Sequence, residues 1–277
     1  MLLRSRRLST QLYADSTHFV FELLQNADDV EYDETVIPTI KFQLLPPHST
    51  TAARLLIVSC NEKKGFSAGD VESICGVANS SKIKKKGDGY IGEKGIGFKS
   101  VFRVAERVSI SSGFYNFTLD RSKELGMISP EWSPQMPISL DPKWQTTFFL
   151  QIPLPKDIME VENKLLKLDA PPLLFLRRLE RIEIIIPSTA TRQLSKNFRK
   201  HGDMELITLT SPDEKKTYIL SKEPILKMPI EKAREGVTSS EVVLAFETTE
   251  NGLSNEKNQL VFSFLPFAHF GFRVSAS

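Results

Sequence analysis

At 277 residues the chain has room for one large domain or two ordinary ones, and its 40% hydrophobic and 25% charged content excludes disorder as its main state. The formal net charge of +2 provides no general basic field, so nucleic acid and membrane surfaces are not expected as partners on that ground.

The opening MLLRSRRLST is interrupted by Arg4, Arg6 and Arg7 and offers no apolar core for a signal peptide. Residues 17–27, THFVFELLQNA, place Phe19, Leu23, Leu24 and Ala27 at helical spacing. Thr39 to Leu45 alternates as a strand and stops at Pro46-Pro47, and RLLIVS from Arg54 to Ser59 reads as a buried strand. Ser67 caps a further helix containing Val71, Ile74 and Cys75. A glycine-rich irregular stretch, Asn79 to Gly97, leads into a helix over Phe98–Val104. Strands are expected at Val108–Ser112, Tyr115–Leu119 and Thr146–Ile152, and an amphipathic helix at Asp157–Leu168. Leu173–Leu179 reads as a second helix and Arg181–Ile186 as a strand. Beyond Pro187, short β-like runs (Glu205–Leu209, Thr217–Leu220, Glu241–Glu247, Leu260–Leu265) alternate with charged turns. Two cysteines, Cys60 and Cys75, form neither a disulfide framework nor a CxxC pair, and no apolar run approaches the about 18–20 residues that span a bilayer. The expectation is an intracellular protein, cytoplasmic or nuclear.

Chemistry concentrates in two segments. In ELLQNADD, Glu22, Asn26 and Asp29 stand at i, i+4 and i+7 and project from one polar helix face. A carboxamide oxygen at Asn26 suits Mg²⁺, a hard cation that takes oxygen ligands. A carboxylate one turn earlier, Glu22, suits orientation and deprotonation of a water that attacks phosphorus. The bland alternative is a solvated helix face.

The second segment runs from Tyr90 to Phe102, YIGEKGIGFKSVF. Gly92, Gly95 and Gly97 free the backbone to approach a ligand, and the helix expected behind them offers N–H groups and a positive dipole end to phosphate. Lys94 and Lys99 add charge. This is no P-loop, because Phe98 stands where that motif needs lysine. Gly87-x-Gly89-x-x-Gly92 is no dinucleotide fingerprint either, since KIKKK precedes it instead of a buried strand. The lysines at 82, 84, 85 and 86 read as a solvated loop or as a lid over phosphate.

Four stretches occur in order: His18–Asp29, Asn61–Phe66, Ser80–Lys82 and Ile91–Phe102. Together they resemble the N-box and glycine boxes of the GHKL ATPases, the superfamily of the ninety-kilodalton heat-shock chaperones, most closely its sacsin and No Vein branch, over roughly residues 8–155. The resemblance implies ATP and Mg²⁺ as cofactors. Glu22 would be the general base, Asn26 the metal ligand, and Asp29 a support of the metal's water shell. Gly65, Ser81, Lys82, Gly92, Lys94, Gly95, Ile96, Gly97, Phe98 and Lys99 would surround the nucleotide beneath a closing lid. Thr146 matches the strand threonine that helps hold adenine, with Thr147 as the alternative. The family's adenine-binding aspartate is missing from Cys60-Asn61-Glu62-Lys63-Lys64-Gly65. Asn61 is a stand-in whose carbonyl oxygen would accept from the adenine amino group, and Glu62 is the other candidate. His18 is read as a packing or capping residue.

The implied fold is an α/β (α+β) Bergerat two-layer sandwich, a mixed and mostly antiparallel sheet with helices on one face. It would occupy residues 1–186, and a smaller, incomplete β-rich region residues 187–277. The implied function is ATP binding with weak hydrolysis in a chaperone-like or scaffold protein. Its partners would be ATP and ADP, protein clients or other domains of a longer chain, and a second copy in an ATP-dependent dimer, without membrane or nucleic acid. The alternatives are a degenerate nucleotide sensor without turnover, and a DNA-linked ATPase of the microrchidia or MutL sort.

Overall fold

The computed structural model describes residues 18–47, 53–76, 97–132, 135–139, 141–187, 189–201, 204–226, 239–248, 259–263 and 265–272. Helix α1 (Phe19–Asp28) is followed by strands β1 (Thr39–Leu44) and β2 (Arg54–Cys60) and by helix α2 (Ala68–Cys75). A 3-10 turn (Phe98–Arg103) leads to the hairpin of β3 (Arg107–Ser112) and β4 (Tyr115–Asp120), the short β5 (Glu131–Trp132), and β6 (Thr146–Ile152). Helix α3 (Pro155–Lys167) and a second 3-10 turn (Pro171–Leu174) precede β7 (Arg181–Ile185). Four further strands follow, β8 (Arg192–His201), β9 (Met204–Thr210), β10 (Lys215–Leu226) and β11 (Ser239–Thr248), and then a separate antiparallel pair, β12 (Gln259–Ser263) and β13 (Leu265–Phe272).

The result is an α+β fold dominated by one large mixed sheet with few helices. Among the described residues the sheet has eleven strands in the order β11-β10-β9-β8-β7-β1-β2-β6-β3-β4-β5. The β1–β7 pair is parallel and its neighbours are antiparallel. The sheet runs on past Ile186, since β8 pairs with β7 through Ile182↔Leu194.

Strand alternation explains the core. Register aligns Ile40, Phe42 and Leu44 with Cys60, Val58 and Leu56, and these in turn with Thr146, Phe148 and Leu150. Ile182 and Ile184 continue that row on one side, and Val108, Ile110, Phe117 and Leu119 on the other. These apolar residues share one cluster with Phe19, Leu23 and Leu24 of α1, Val71 and Ile74 of α2, and Ile158, Val161 and Leu165 of α3. Alternate register positions carry mostly polar residues, Lys41, Gln43, Ser59, Ser109, Thr118, Thr147 and Gln151, with Ile57 and Phe149 buried among them. Burying one large apolar side chain is worth about 1.5–3 kcal/mol, so this face is the main source of stability.

Local chemistry sets the element ends. Ser67 caps α2 as expected: its hydroxyl accepts from the Asp70 N–H, and the Ser67 N–H donates to the Asp70 carboxylate at 3.0 Å. Two helices expected from sequence take tighter forms. Phe98–Arg103 is 3-10, closed by Ser100 N–H to the Gly97 carbonyl at 3.0 Å, which lets Phe98, Val101 and Phe102 all reach the core. Leu173–Leu179 is not a helix beyond the turn at Pro171–Leu174. Its later N–H groups, from Arg177, Arg178 and Leu179, donate to the Asp28 carboxylate and not to helical carbonyls. No helix among the described residues is long and apolar enough to cross a membrane.

Candidate functional site

The two chemistry-bearing segments meet in the fold. α1 buries its apolar stripe and leaves Glu22 and Asn26 half-buried on the other side. Gly97, at the start of the 3-10 turn, lies directly against Glu22. A Cβ placed on Gly97 would stand 2.0 Å from Glu22 Oε2 and 2.9 Å from its Cδ. The missing side chain is therefore what lets the carboxylate rest on this backbone. Burial raises the Glu22 carboxyl above its ordinary value, while His18, with Nδ1 3.6 Å from Glu22 Oε1, acts in the opposite direction. His18 occupies the N-cap position but makes no side-chain cap bond; its ring serves Glu22. No described residue hydrogen-bonds the Asn26 carboxamide, which is half-buried.

The two acids that close α1 are anchors. Asp28, 1% exposed, accepts from the N–H groups of Arg177, Arg178 and Leu179 at 2.9, 2.7 and 2.8 Å. Asp29 Oδ1 accepts from the Arg177 guanidinium at 2.8 Å, and Arg178 reaches the Asp29 carbonyl. Asp28 was not singled out from sequence; its signal is an acid at an apolar-facing helix end. The structure gives Asp29 an arginine partner.

At the other end, β2 delivers Asn61 and Glu62 to opposite sides. The Asn61 carboxamide bridges main chain: its oxygen accepts from Thr39 N–H at 2.7 Å and its nitrogen donates to the Ile37 carbonyl at 2.9 Å. Glu62 shares the inward side with Cys60, is 6% exposed, and has Thr146 and Cys60 as neighbours that favour its ionised form. Its Oε2 is buried with no hydrogen-bond partner among the described residues. Burial pushes the Glu62 carboxyl up, against the downward pull of those neighbours. Of the two candidates for the missing aspartate, the structure therefore has Glu62 as the carboxylate with an unspent acceptor. Thr146, 3% exposed, faces Glu62 and also meets Ser112 Oγ at 2.5 Å, whereas Thr147 donates to Ser59 on the alternate face. Gly65 packs on the β3–β4 turn, where an added Cβ would stand 2.3 Å from the Gly113 nitrogen. The adjoining Phe66 N–H donates to Ser112 Oγ at 2.8 Å.

Phe98 is 3% exposed and packs its ring against Phe102 and Phe148, a core contact. The Lys99 ammonium donates to the Met127 carbonyl, and partial burial lowers its pKa. Ser81, Lys82, Gly92, Lys94, Gly95 and Ile96 lie outside the described residues. No cluster of three or more His, Cys, Asp or Glu able to hold a metal occurs among the described residues.

No protein-family model matches the chain. The sequence is similar to Protein NO VEIN of Arabidopsis thaliana, at 30% identity over 288 residues. That alignment takes in 96% of this chain and 10% of the plant protein, so the chain spans about a tenth of that relative's length.

Proposed function

We propose that the chain is an ATP-binding module of the GHKL type, with the large sheet and its helices forming a Bergerat two-layer sandwich. The observation that carries the reading is the contact between Glu22 and Gly97, which joins a carboxylate–carboxamide helix face to the glycine-rich turn. The unpaired Glu62 oxygen beside Thr146 supports a base-binding end, since a buried acceptor without a partner costs about 1–3 kcal/mol and an adenine amino group would satisfy it.

In this reading the Asn26 carboxamide oxygen would hold Mg²⁺, a cation that rarely uses an all-protein cage. Mg²⁺ neutralises phosphate charge when bound. Glu22 accepts the proton of a water whose oxygen attacks the γ-phosphorus, and the bridging oxygen departs with ADP. Its raised pKa brings it nearer the range of an effective base, a role worth about 10²–10⁴-fold in rate. Coupling of this cycle to protein clients or to dimerisation is part of the same proposal.

The engagement of Asp29 by Arg177 favours a second reading, a nucleotide sensor that binds without turnover. Hydrolysis by wild type against Glu22→Ala separates the two. The ATPase reading expects wild-type turnover that falls at least about 100-fold in the variant while ATP binding persists. Binding without turnover in either protein leaves the sensor.

A further inference from the structure

A run of buried and half-buried polar groups leads from the end of α1 toward Glu62. The Tyr32 hydroxyl donates to the Ala27 carbonyl at 2.6 Å, in the last turn of α1 next to Asn26. The same oxygen lies 3.1 Å from Cys60 Sγ, and Cys60 in turn neighbours Glu62 and favours its ionised form. Thr146 acts on the Glu62 carboxyl in the same direction. Cys60 is 7% exposed, and burial pushes both its thiol and the Tyr32 phenol up, so each stays protonated and acts as a donor. Tyr32 has a single proton and spends it on Ala27, which leaves its oxygen and the Glu62 carboxylate as the two acceptors facing the one thiol proton. Only Glu62 Oε2 then remains free in the network.

We propose that Tyr32 and Cys60 are positioning residues that fix the Glu62 carboxylate so that Oε2 meets the N–H donor of a bound base, an inference that rests on the nucleotide reading above. Tyr32 ties the arrangement to the helix that carries Asn26, so the base end and the metal end share one hydrogen-bonded support. The titratable groups facing Glu62 among the described residues are Cys60 and Tyr32, with Asp28 beyond Tyr32. An N–H donated to Oε2 stabilises the ionised carboxyl, so the Glu62 pKa falls on binding. Affinity must then weaken as pH drops through the value of the empty site.

The test is calorimetric titration of ADP into the full 277-residue chain between about pH 5 and about pH 8, with thermal unfolding recorded in parallel. Wild type, Tyr32→Phe, Cys60→Ala and Cys60→Ser are compared. Loss of one hydrogen bond in the network predicts about tenfold weaker ADP binding for Tyr32→Phe and Cys60→Ala, with the pH midpoint of affinity displaced. Cys60→Ser, which keeps a donor, is expected to restore both. Variants that bind ADP as wild type does, with the same pH profile, overturn this inference alone. Wild type that binds no ADP overturns the nucleotide reading and this inference together. Losses that follow unfolding in Cys60→Ser as well as in Tyr32→Phe assign the pair to the scaffold and overturn the positioning role.

Discussion

Gly65 and Gly97 both stand where a Cβ would collide, yet they collide with different things. At Gly65 the obstacle is the backbone of Ser112 and Gly113, which has nowhere to go. Gly65→Ala is expected to destabilise the fold by about 1–3 kcal/mol, the range for forced overpacking, in a denaturant titration. At Gly97 the obstacle is the far end of the Glu22 side chain, which can swing aside. Gly97→Ala is therefore expected to change stability by less than about 1 kcal/mol while displacing the carboxylate and lowering any hydrolysis. A large stability loss in Gly97→Ala would contradict the contact.

The two buried carboxyls have a shared signature. Burial raises Glu22 and Glu62 above the ordinary 4.5, so their ionisation disfavours the folded state. A raised carboxyl carries no penalty below its unfolded pKa and the full penalty above its folded one. Glu62→Gln should therefore unfold at a higher temperature than wild type near neutral pH, and the difference should close on acidification toward about pH 4. A gap that is absent at neutral pH, or that widens in acid, would show that Glu62 is stabilised in place. Stability gained by removing a site residue is a frequent mark of function built against folding. At this scale the sequence left Asn61 and Glu62 as alternatives, because a shift of one residue past a strand end reverses which side chain points inward. The β2–β6 register, Cys60↔Thr146, sets which face Cys60 shares with Thr146 at that strand end.

At the scale of elements, periodicity was sufficient wherever one face is apolar. α1, α2, α3 and the strands β1 to β4, β6 and β7 follow their hydrophobic spacing, with ends moved by a residue or two. Two of the failures share a cause, which is a partner distant in sequence. β8, RQLSKNFRKH, buries Leu194 fully but has little apolar signal, and exists as a strand through its pairing with β7 and β9. Leu173–Leu179 is apolar enough for a helix, yet its N–H groups are claimed by Asp28. That claim carries a prediction. Asp28→Ala strands three backbone donors that were bonded to a charge, and is expected to lower unfolding free energy by about 3 kcal/mol or more in denaturant. Asp28→Asn, which keeps an acceptor, should recover part of it. A neutral Asp28→Ala would mean that α1 is held in place by its apolar face alone.

For the whole molecule, one sheet carries both ends of the candidate site. The chain leaving β2 and the start of β6 supply Glu62 and Thr146, while α1, packed against Gly97 on the same core, supplies Glu22 and Asn26. The order of motifs in the sequence pointed to this assembly through a family resemblance, but the distance from Glu22 to Gly97 is a property of the fold. The likeness to Protein NO VEIN extends along nearly the whole chain and covers a tenth of that protein.

The central claim is that one Mg²⁺-nucleotide spans these two ends, with Asn26 on the metal. Calorimetric titration of ATP with and without Mg²⁺, on wild type and on Asn26→Ala, tests it most directly. Saturable binding that Mg²⁺ strengthens in wild type, with that gain lost in Asn26→Ala, is the predicted result. No binding, or binding that ignores both the metal and Asn26, would contradict it.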